Sequence, residues 1–141
     1  MEISKLSINS LDELVEIYNE QFGSEAWTKK QIEDAFNNKA ISFYGIYENK
    51  ELVCFASILE SLDDINLLDI ATKENYKHKG YASGMMKFLM SLKKSEQTFS
   101  LEVKSKNKTA ISLYEKFGFK TLHIRKKYYK DGDDALCMFA K

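Results

Sequence analysis

No proline occurs anywhere in the 141 residues, and glycine is held to six. Without proline no reversal is pre-set by a locked φ, so the turns must rest on Gly, Asn and Asp, whose positions become turn markers. Cysteine is scarcer still. Cys54 and Cys137 each sit inside an apolar, strand-like run, which is the pattern of reduced core thiols and not of a disulfide framework. The Asn107-Lys108-Thr109 sequon is accordingly expected to stay unmodified, because glycosylation needs the secretory route. No apolar run approaches the roughly 20 residues of a membrane-spanning helix, and Met1 to Ser10 shows no charged-then-apolar leader. A cytoplasmic protein without membrane contact is expected. The two histidines, His78 and His123, lie in no ligand cluster, so no metal site is read.

Net charge is absent as well, with 21 Lys+Arg against 21 Asp+Glu, but the balance hides an asymmetry. Residues 1–70 hold 5 basic and 14 acidic side chains, net −9, whereas residues 71–141 hold 16 and 7, net +9. Such a split, taken alone, fits a surface solvated by charge better than a molecule that meets a cation on one side and an anion on the other.

What is present is a core. At 44% apolar and 13% aromatic content the length is that of one domain, residues 1–141. Ser10 with Glu13 has the spacing of a capping box ahead of a helix carrying Leu11, Leu14, Val15, Tyr18 and Phe22 on one face. Thr28 with Gln31 repeats it ahead of Ile32, Ala35 and Phe36. Ile41 to Tyr47 and Leu52 to Leu59 read as a hairpin about Glu48-Asn49-Lys50, and Ile65 to Ala71 as a third strand. A helix from Ala82 to about Lys94, a strand Thr98 to Val103 and a helix capped by Asn107 and stopped by Gly118 follow. Strands Phe119 to Tyr128 and Ala135 to Phe139 close the chain about Asp131-Gly132-Asp133-Asp134, and Ser4 to Ile8 is read as the first strand. The fold class is α/β, one mixed, mostly antiparallel central sheet flanked by about four helices.

One stretch carries chemistry. In Asn75-Tyr76-Lys77-His78-Lys79-Gly80-Tyr81-Ala82-Ser83-Gly84 a strand leads through cations and glycine into a helix, bringing unpaired N–H groups and the positive helix end to one point. Such a point binds phosphate. Gly84 is followed by Met85 and Met86, not by the Lys-Ser/Thr of a nucleotide-hydrolysing loop. An ordinary basic connection reads the same residues equally well.

Lys77 to Ala82 resembles the Arg/Gln-x-x-Gly-x-Gly/Ala pyrophosphate loop of the GNAT superfamily of N-acetyltransferases. Leu101 to Phe119, LEVKSKNKTAISLYEKFGF, resembles the second half of the RimI-type enzymes that acetylate protein N-termini, and Ile124 to Met138 resembles their C-terminal hairpin. Glu25-Ala26-Trp27-Thr28 is similar to their Pro-Trp-Ser/Thr segment. Three positions depart: Lys77 for Arg or Gln, Ala82 for the last glycine, Ala26 for proline.

The resemblance implies a GNAT-like fold and acetyl-coenzyme A as cosubstrate, with no metal. It puts Ile70, Ala71 and Thr72 beside the pantetheine arm and thioester, Lys77, His78, Lys79, Gly80, Tyr81, Ala82 and Ser83 around the pyrophosphate, and Asn107 against the coenzyme. Glu102 matches the general base and Tyr114 the general acid that protonates the leaving thiolate. Trp27, Tyr128 and Tyr129 match the substrate-binding wall. A solvated carboxylate, a core tyrosine, an N-cap and strand aromatics describe Glu102, Tyr114, Asn107 and the tyrosine pair without any chemistry. Cys137 has no motif tying it to a histidine and is read as core.

The implied substrate is the N-terminus of a basic ribosomal protein, alanine in first place, drawn by the acidic half while the basic half suits the phosphates. A small amine or a lysine side chain is the second reading, and a non-catalytic acyl-coenzyme A module the third. Arg125, Lys126, Lys127 and Lys130 lack the aromatic spacing of a stacking platform, so no direct nucleic-acid binding is expected. A monomer or weak dimer is expected.

Overall fold

The structure, a computed structural model, describes residues 2–141. Its elements in chain order are β1 (Ile3–Lys5), α1 (Leu11–Phe22), α2 (Lys29–Phe36), β2 (Ile41–Glu48), β3 (Glu51–Glu60), β4 (Asp64–Thr72), α3 (Tyr81–Leu92), β5 (Thr98–Lys104), α4 (Lys108–Lys116), β6 (Lys120–Arg125) and β7 (Ala135–Ala140). The strands form one sheet in the order β1-β2-β3-β4-β5-β7-β6. Only β4 and β5 run parallel; the other neighbours are antiparallel. The mixed, mostly antiparallel sheet with four helices is the architecture expected from the sequence.

Central strand β3 shows why its sequence is an unbroken apolar run. Val53, Cys54, Phe55 and Ala56 are all buried because each face of the sheet is covered. On one face α3 and α4 close over Met85, Met86, Leu89, Phe99, Tyr114 and Phe119. On the other α1 and α2 close over Leu14, Ile17, Tyr18, Ile32, Phe43 and Phe55. Burying each such side chain contributes about 1.5–3 kcal/mol, and cutting Phe55 back to alanine costs about 3–5 kcal/mol because a cavity is left behind. No helix among the described residues is long and apolar enough to cross a membrane.

Local signals were honoured unevenly. Thr28 and Gln31 form the expected capping box, each side chain bonded to the other's backbone N–H. The Ser10–Glu13 box does not form. A short 3-10 turn, Ile8–Ser10, precedes α1 and leaves Ser10 at φ −93, ψ 7, away from the extended backbone a cap needs. Ser10 Oγ instead meets the Tyr47 hydroxyl at 2.8 Å, and Glu13 accepts from Tyr47 and from the Leu52 N–H. The same turn shortens the first strand, expected to reach Ile8, to Ile3–Lys5. Asn49 and Lys50 both take positive φ, the turn that suits a two-residue hairpin.

At the other end the strand expected to run to Tyr128 stops at Arg125, since Lys127 has φ +50 and its N–H is held by Asp134 Oδ1 at 2.9 Å. Tyr128 and Tyr129 therefore belong to the connecting loop. Asn107 caps α4 through the Ala110 N–H, and Gly118 takes φ +91 just past its end, both as expected.

Register decides where the sheet opens. The β4–β5 pairing ends at Leu67↔Leu101, whereas β4 stays paired to β3 as far as Thr72↔Cys54 and β5 to β7 as far as Lys104↔Ala135. Between Ser57 and Ile58 the β3–β4 register shifts, so Leu68 is an extra residue on β4. Such a bulge bends its strand. The two strands thus part beyond Leu67 and Leu101, and a cleft opens between them.

Candidate active site

One wall of the cleft is the β4 segment Ile70-Ala71-Thr72. Its backbone has ladder partners only on the β3 side. Ala71 and Thr72 are buried, and the Thr72 hydroxyl donates to Cys54 Sγ at 3.6 Å. What this segment offers the cleft is main-chain donors and acceptors.

Past β4 the chain turns through Lys77, His78 and Lys79 to Gly80, which precedes α3. Gly80 sits at φ +89 and makes no side-chain cap, so the first N–H groups of α3 are left without intrahelical partners. A Cβ at Gly80 would meet nothing within 4 Å; glycine is required there by φ alone. His78 is left-handed too, at φ +64, a conformation that strains any residue but glycine. Lys77 pairs with Glu74 at 3.2 Å, and Lys79 Nζ stands 5.5 Å from the Tyr76 ring centroid. Lys116 of α4 donates to Ser83 Oγ at 3.4 Å and adds a cation that no motif announced. Free N–H groups, a positive helix end and surrounding ammonium groups make a cradle that fits a diphosphate. Asn107 lies at the start of α4 with its Oδ1 engaged in the cap at 3.2 Å.

The opposite wall is β5. Glu102 stands across from Cys137 of β7, and its Oε2 is 2.8 Å from Arg125 Nε and 3.4 Å from Cys137 Sγ, the thiol donating. Burial pushes that thiol up, which disfavours a nucleophilic thiolate. Tyr114, 6% exposed, has its phenol pushed well above the ordinary range by burial and then by the field of Asp69. Its hydroxyl makes no hydrogen bond to the described residues.

Above the cleft two loops are tied together. Lys104 pairs with Glu25 and with Asp131, the latter at 2.8 Å, and its Nζ lies 5.2 Å from the Tyr129 ring centroid. Lys130 reaches the Ser24 carbonyl at 3.1 Å. Tyr128 and Tyr129 meet edge-on at 5.2 Å, Arg125 covers Tyr128, and the Tyr129 phenol is pushed up to about 12, first by burial and then by Glu102. Trp27 stacks on Tyr18 at 5.9 Å and 10°. The structure therefore brings Trp27 and the tyrosine pair to the Glu102–Lys104 side of the opening, while the Gly80 loop follows the C-terminal end of β4 on its other side.

Asp69 escaped the sequence reading. It sits on β4 beside the bulge, opposite Ser57, and its Oδ2 accepts from the Tyr18 hydroxyl at 2.8 Å. Burial pushes its carboxyl up to about 6. The missed signal is a lone charge in the apolar run Leu67-Leu68-Asp69-Ile70-Ala71. Shallow surface hollows run along α2, one beside Trp27, Gln31 and Asp34 and one beside Phe36 and Phe43. Among the described residues no group of three or more His, Cys, Asp and Glu is placed to hold a metal.

Residues 11–119 match the family described as Acetyltransferase (GNAT) family. The chain is 30% identical over 141 residues to a Bacillus subtilis (strain 168) protein provisionally named ribosomal protein bS18-alanine N-acetyltransferase, covering 97% of this chain and 93% of that one. It is 30% identical over 117 residues to the Escherichia coli (strain K12) protein of that name, with 79% and 78% of the two chains covered. The crystal structure of the ribosomal-protein-S18-alanine N-acetyltransferase from Escherichia coli superposes with a TM-score of 0.90 at 28% identity, covering 99% of this chain and 92% of that one.

Proposed function

The chain belongs to the acetyltransferase (GNAT) family, and from that premise we propose that it acetylates the N-terminal α-amine of a ribosomal protein, with alanine in first place. Acetyl-coenzyme A is the donor, bound along Ile70 to Thr72 with its diphosphate on Lys77 to Ser83 and Asn107 beside it. The work is done in the cytoplasm. The observation that carries this reading is the cleft between β4 and β5. It has free main-chain groups and an anion cradle on one wall, and a carboxylate and an aromatic rim on the other.

When bound, acetyl-coenzyme A supplies an activated acetyl group, and the remaining tasks fall to this chain. Trp27, Tyr128 and Tyr129 hold the peptide terminus. The α-amine has a reference pKa of about 7.7–8.0 against about 10.4 for lysine, so it is the easier amine to deprotonate near neutrality. Glu102 accepts a proton from the attacking nitrogen and Tyr114 gives one to the leaving sulfur. Arg125 holds Glu102 as an ion pair at 2.8 Å, which fixes the carboxylate's position on its wall of the cleft. The names carried by the relatives above support a ribosomal substrate, and the −9 half of the chain suits a basic protein tail.

Thiol release from acetyl-coenzyme A tests the reading. A basic peptide with a free α-amine, the same peptide blocked at its N-terminus but carrying lysines, and spermidine are compared. Turnover confined to the free α-amine is expected; turnover of spermidine or of the blocked peptide would move the activity to small amines or lysine side chains.

A further inference from the structure

Asp69 is a costly residue where it stands. It lies in an apolar strand, it makes no ion pair among the described residues, and its one protein partner is the neutral Tyr18 hydroxyl at 2.8 Å. Tyr18 is itself 1% exposed, packed between Phe22, Trp27 and Phe55. An ionised carboxylate in such a place is normally paired or else used.

Three further observations aim it at the cleft. Asp69 follows the bulged Leu68, at the point where β4 leaves β5, and immediately precedes the free-edged Ile70 to Thr72. Its field reaches the phenol of Tyr114 on α4. Directly opposite on β3 is Ser57, and residues so paired share a face of the sheet. Ser57 Oγ is buried without a well-aligned hydrogen-bond partner among the described residues, and it stands close enough to the Tyr18 hydroxyl to temper that phenol's rise. A half-buried carboxylate without a cation thus stands where the cleft begins, with the fully buried Ser57 hydroxyl behind it. An ammonium group, with three donors and a positive charge, satisfies that carboxylate.

The two carboxylates of the site stand in opposite environments. Glu102 is already neutralised by Arg125 and accepts from Cys137. Asp69 has only uncharged neighbours: Tyr18 from α1, Ser57 from β3 and Tyr114 from α4. Carboxylates so separated take different roles.

We propose that Asp69 is a further catalytic residue: the carboxylate that receives the incoming α-ammonium and takes its first proton. This rests on the acetyl-transfer reading above. An ammonium N–H bond breaks and the proton moves to Asp69, which later loses it to solvent. The freed nitrogen pair forms the N–C bond as the thioester C–S bond breaks. The nitrogen's second proton goes to Glu102, while the leaving sulfur takes a proton from Tyr114, and the proton on Glu102 restores that tyrosine. Burial has lifted the Asp69 carboxyl to about 6, which suits proton acceptance near neutrality.

The test uses wild type, Asp69→Asn and Glu102→Gln, all saturated with coenzyme A. Asparagine keeps the shape and the acceptor for Tyr18, so the fold is preserved. Calorimetry compares a basic peptide carrying a free α-amine with its N-acetylated form. Wild type and Glu102→Gln are expected to favour the free amine by about ten-fold or more, and Asp69→Asn to lose that preference. In thiol-release assays Asp69→Asn should lower kcat/KM by about 100-fold or more and abolish the acidic limb near pH 6. An Asp69→Asn enzyme that keeps both the preference and the acidic limb overturns the proposal, as does a wild type with no free-amine preference and no amine turnover. Spermidine run in parallel separates the two failures. If wild type turns over spermidine alone, the N-terminal reading falls, and whether Asp69→Asn slows spermidine acetylation then decides the role of Asp69.

Discussion

Arg125 Nε lies 2.8 Å from Glu102 Oε2, so the carboxylate matched to the general base is held in an ion pair across β5, β7 and β6. The pair is part-exposed and contributes little to stability. Glu102→Gln is therefore expected to leave thermal unfolding nearly unmoved while lowering kcat/KM by about 100-fold in a thiol-release assay. A Glu102→Gln enzyme of full activity would hand the whole deprotonation to other groups.

Tyr114 is buried, and its raised phenol is a weak acid. Tyr114→Phe should slow turnover without abolishing it, because water can protonate the thiolate. Stability should change little, since no protein hydrogen bond is lost. Unchanged kcat would remove Tyr114 from the mechanism.

The Asp69 carboxyl, lifted to about 6 from an ordinary 3.8, makes stability depend on pH with a definite sign. An acid whose folded value is raised contributes stability that is complete below the unfolded value and is lost as pH climbs through the folded one. Asp69→Asn never ionises and escapes that loss. It should be more stable than wild type above about pH 7, by up to about 3 kcal/mol, with the gap closing toward about pH 4. Chemical denaturation across that range measures it; a gap that does not vary with pH would mean the carboxyl titrates normally. Gained stability with lost activity is the expected signature of a functional, half-buried charge.

Lys104 joins two loops through Glu25 and Asp131 while covering Tyr129. The hydrogen bonds it donates to Asp131 and then to Glu25 push its ammonium up, so the link persists through the working pH range. Lys104→Met should release the Gly23–Glu25 turn from the Tyr129 loop and raise KM for peptide several-fold, with kcat less affected. A KM equal to wild type would confine the clasp to a surface role.

Gly80→Ala places a side chain in open space but at φ +89. The strain is about 1 kcal/mol, carried by the loop that forms the anion cradle. Coenzyme A affinity measured by calorimetry should fall about five-fold. Equal affinity would locate the diphosphate elsewhere.

Elements with a local physical cause were legible in the chain. Thr28 and Gln31, Asn107, Asn49-Lys50 and Gly118 act on backbone groups within a few residues, and each behaves in the structure as its neighbours in sequence demand. Ser10 failed that test because its hydroxyl found a better partner 37 residues away. Tyr128 and Tyr129 left their strand because Asp134 captured the Lys127 N–H across the turn.

By itself, then, the sequence determined the order of helices and strands, if not every strand's end, where glycine must turn the chain, and which motif resembles an acetyltransferase. Those properties follow from short-range hydrogen bonding, apolar periodicity and residue type. The parting of β4 from β5, the Arg125–Glu102 pair and the isolation of Asp69 were decided only in the tertiary structure. Each depends on strand register and on partners far apart in the chain: the one-residue bulge at Leu68 marks where β4 leaves β5, and the Arg125–Glu102 pair rests on the β5–β7–β6 register.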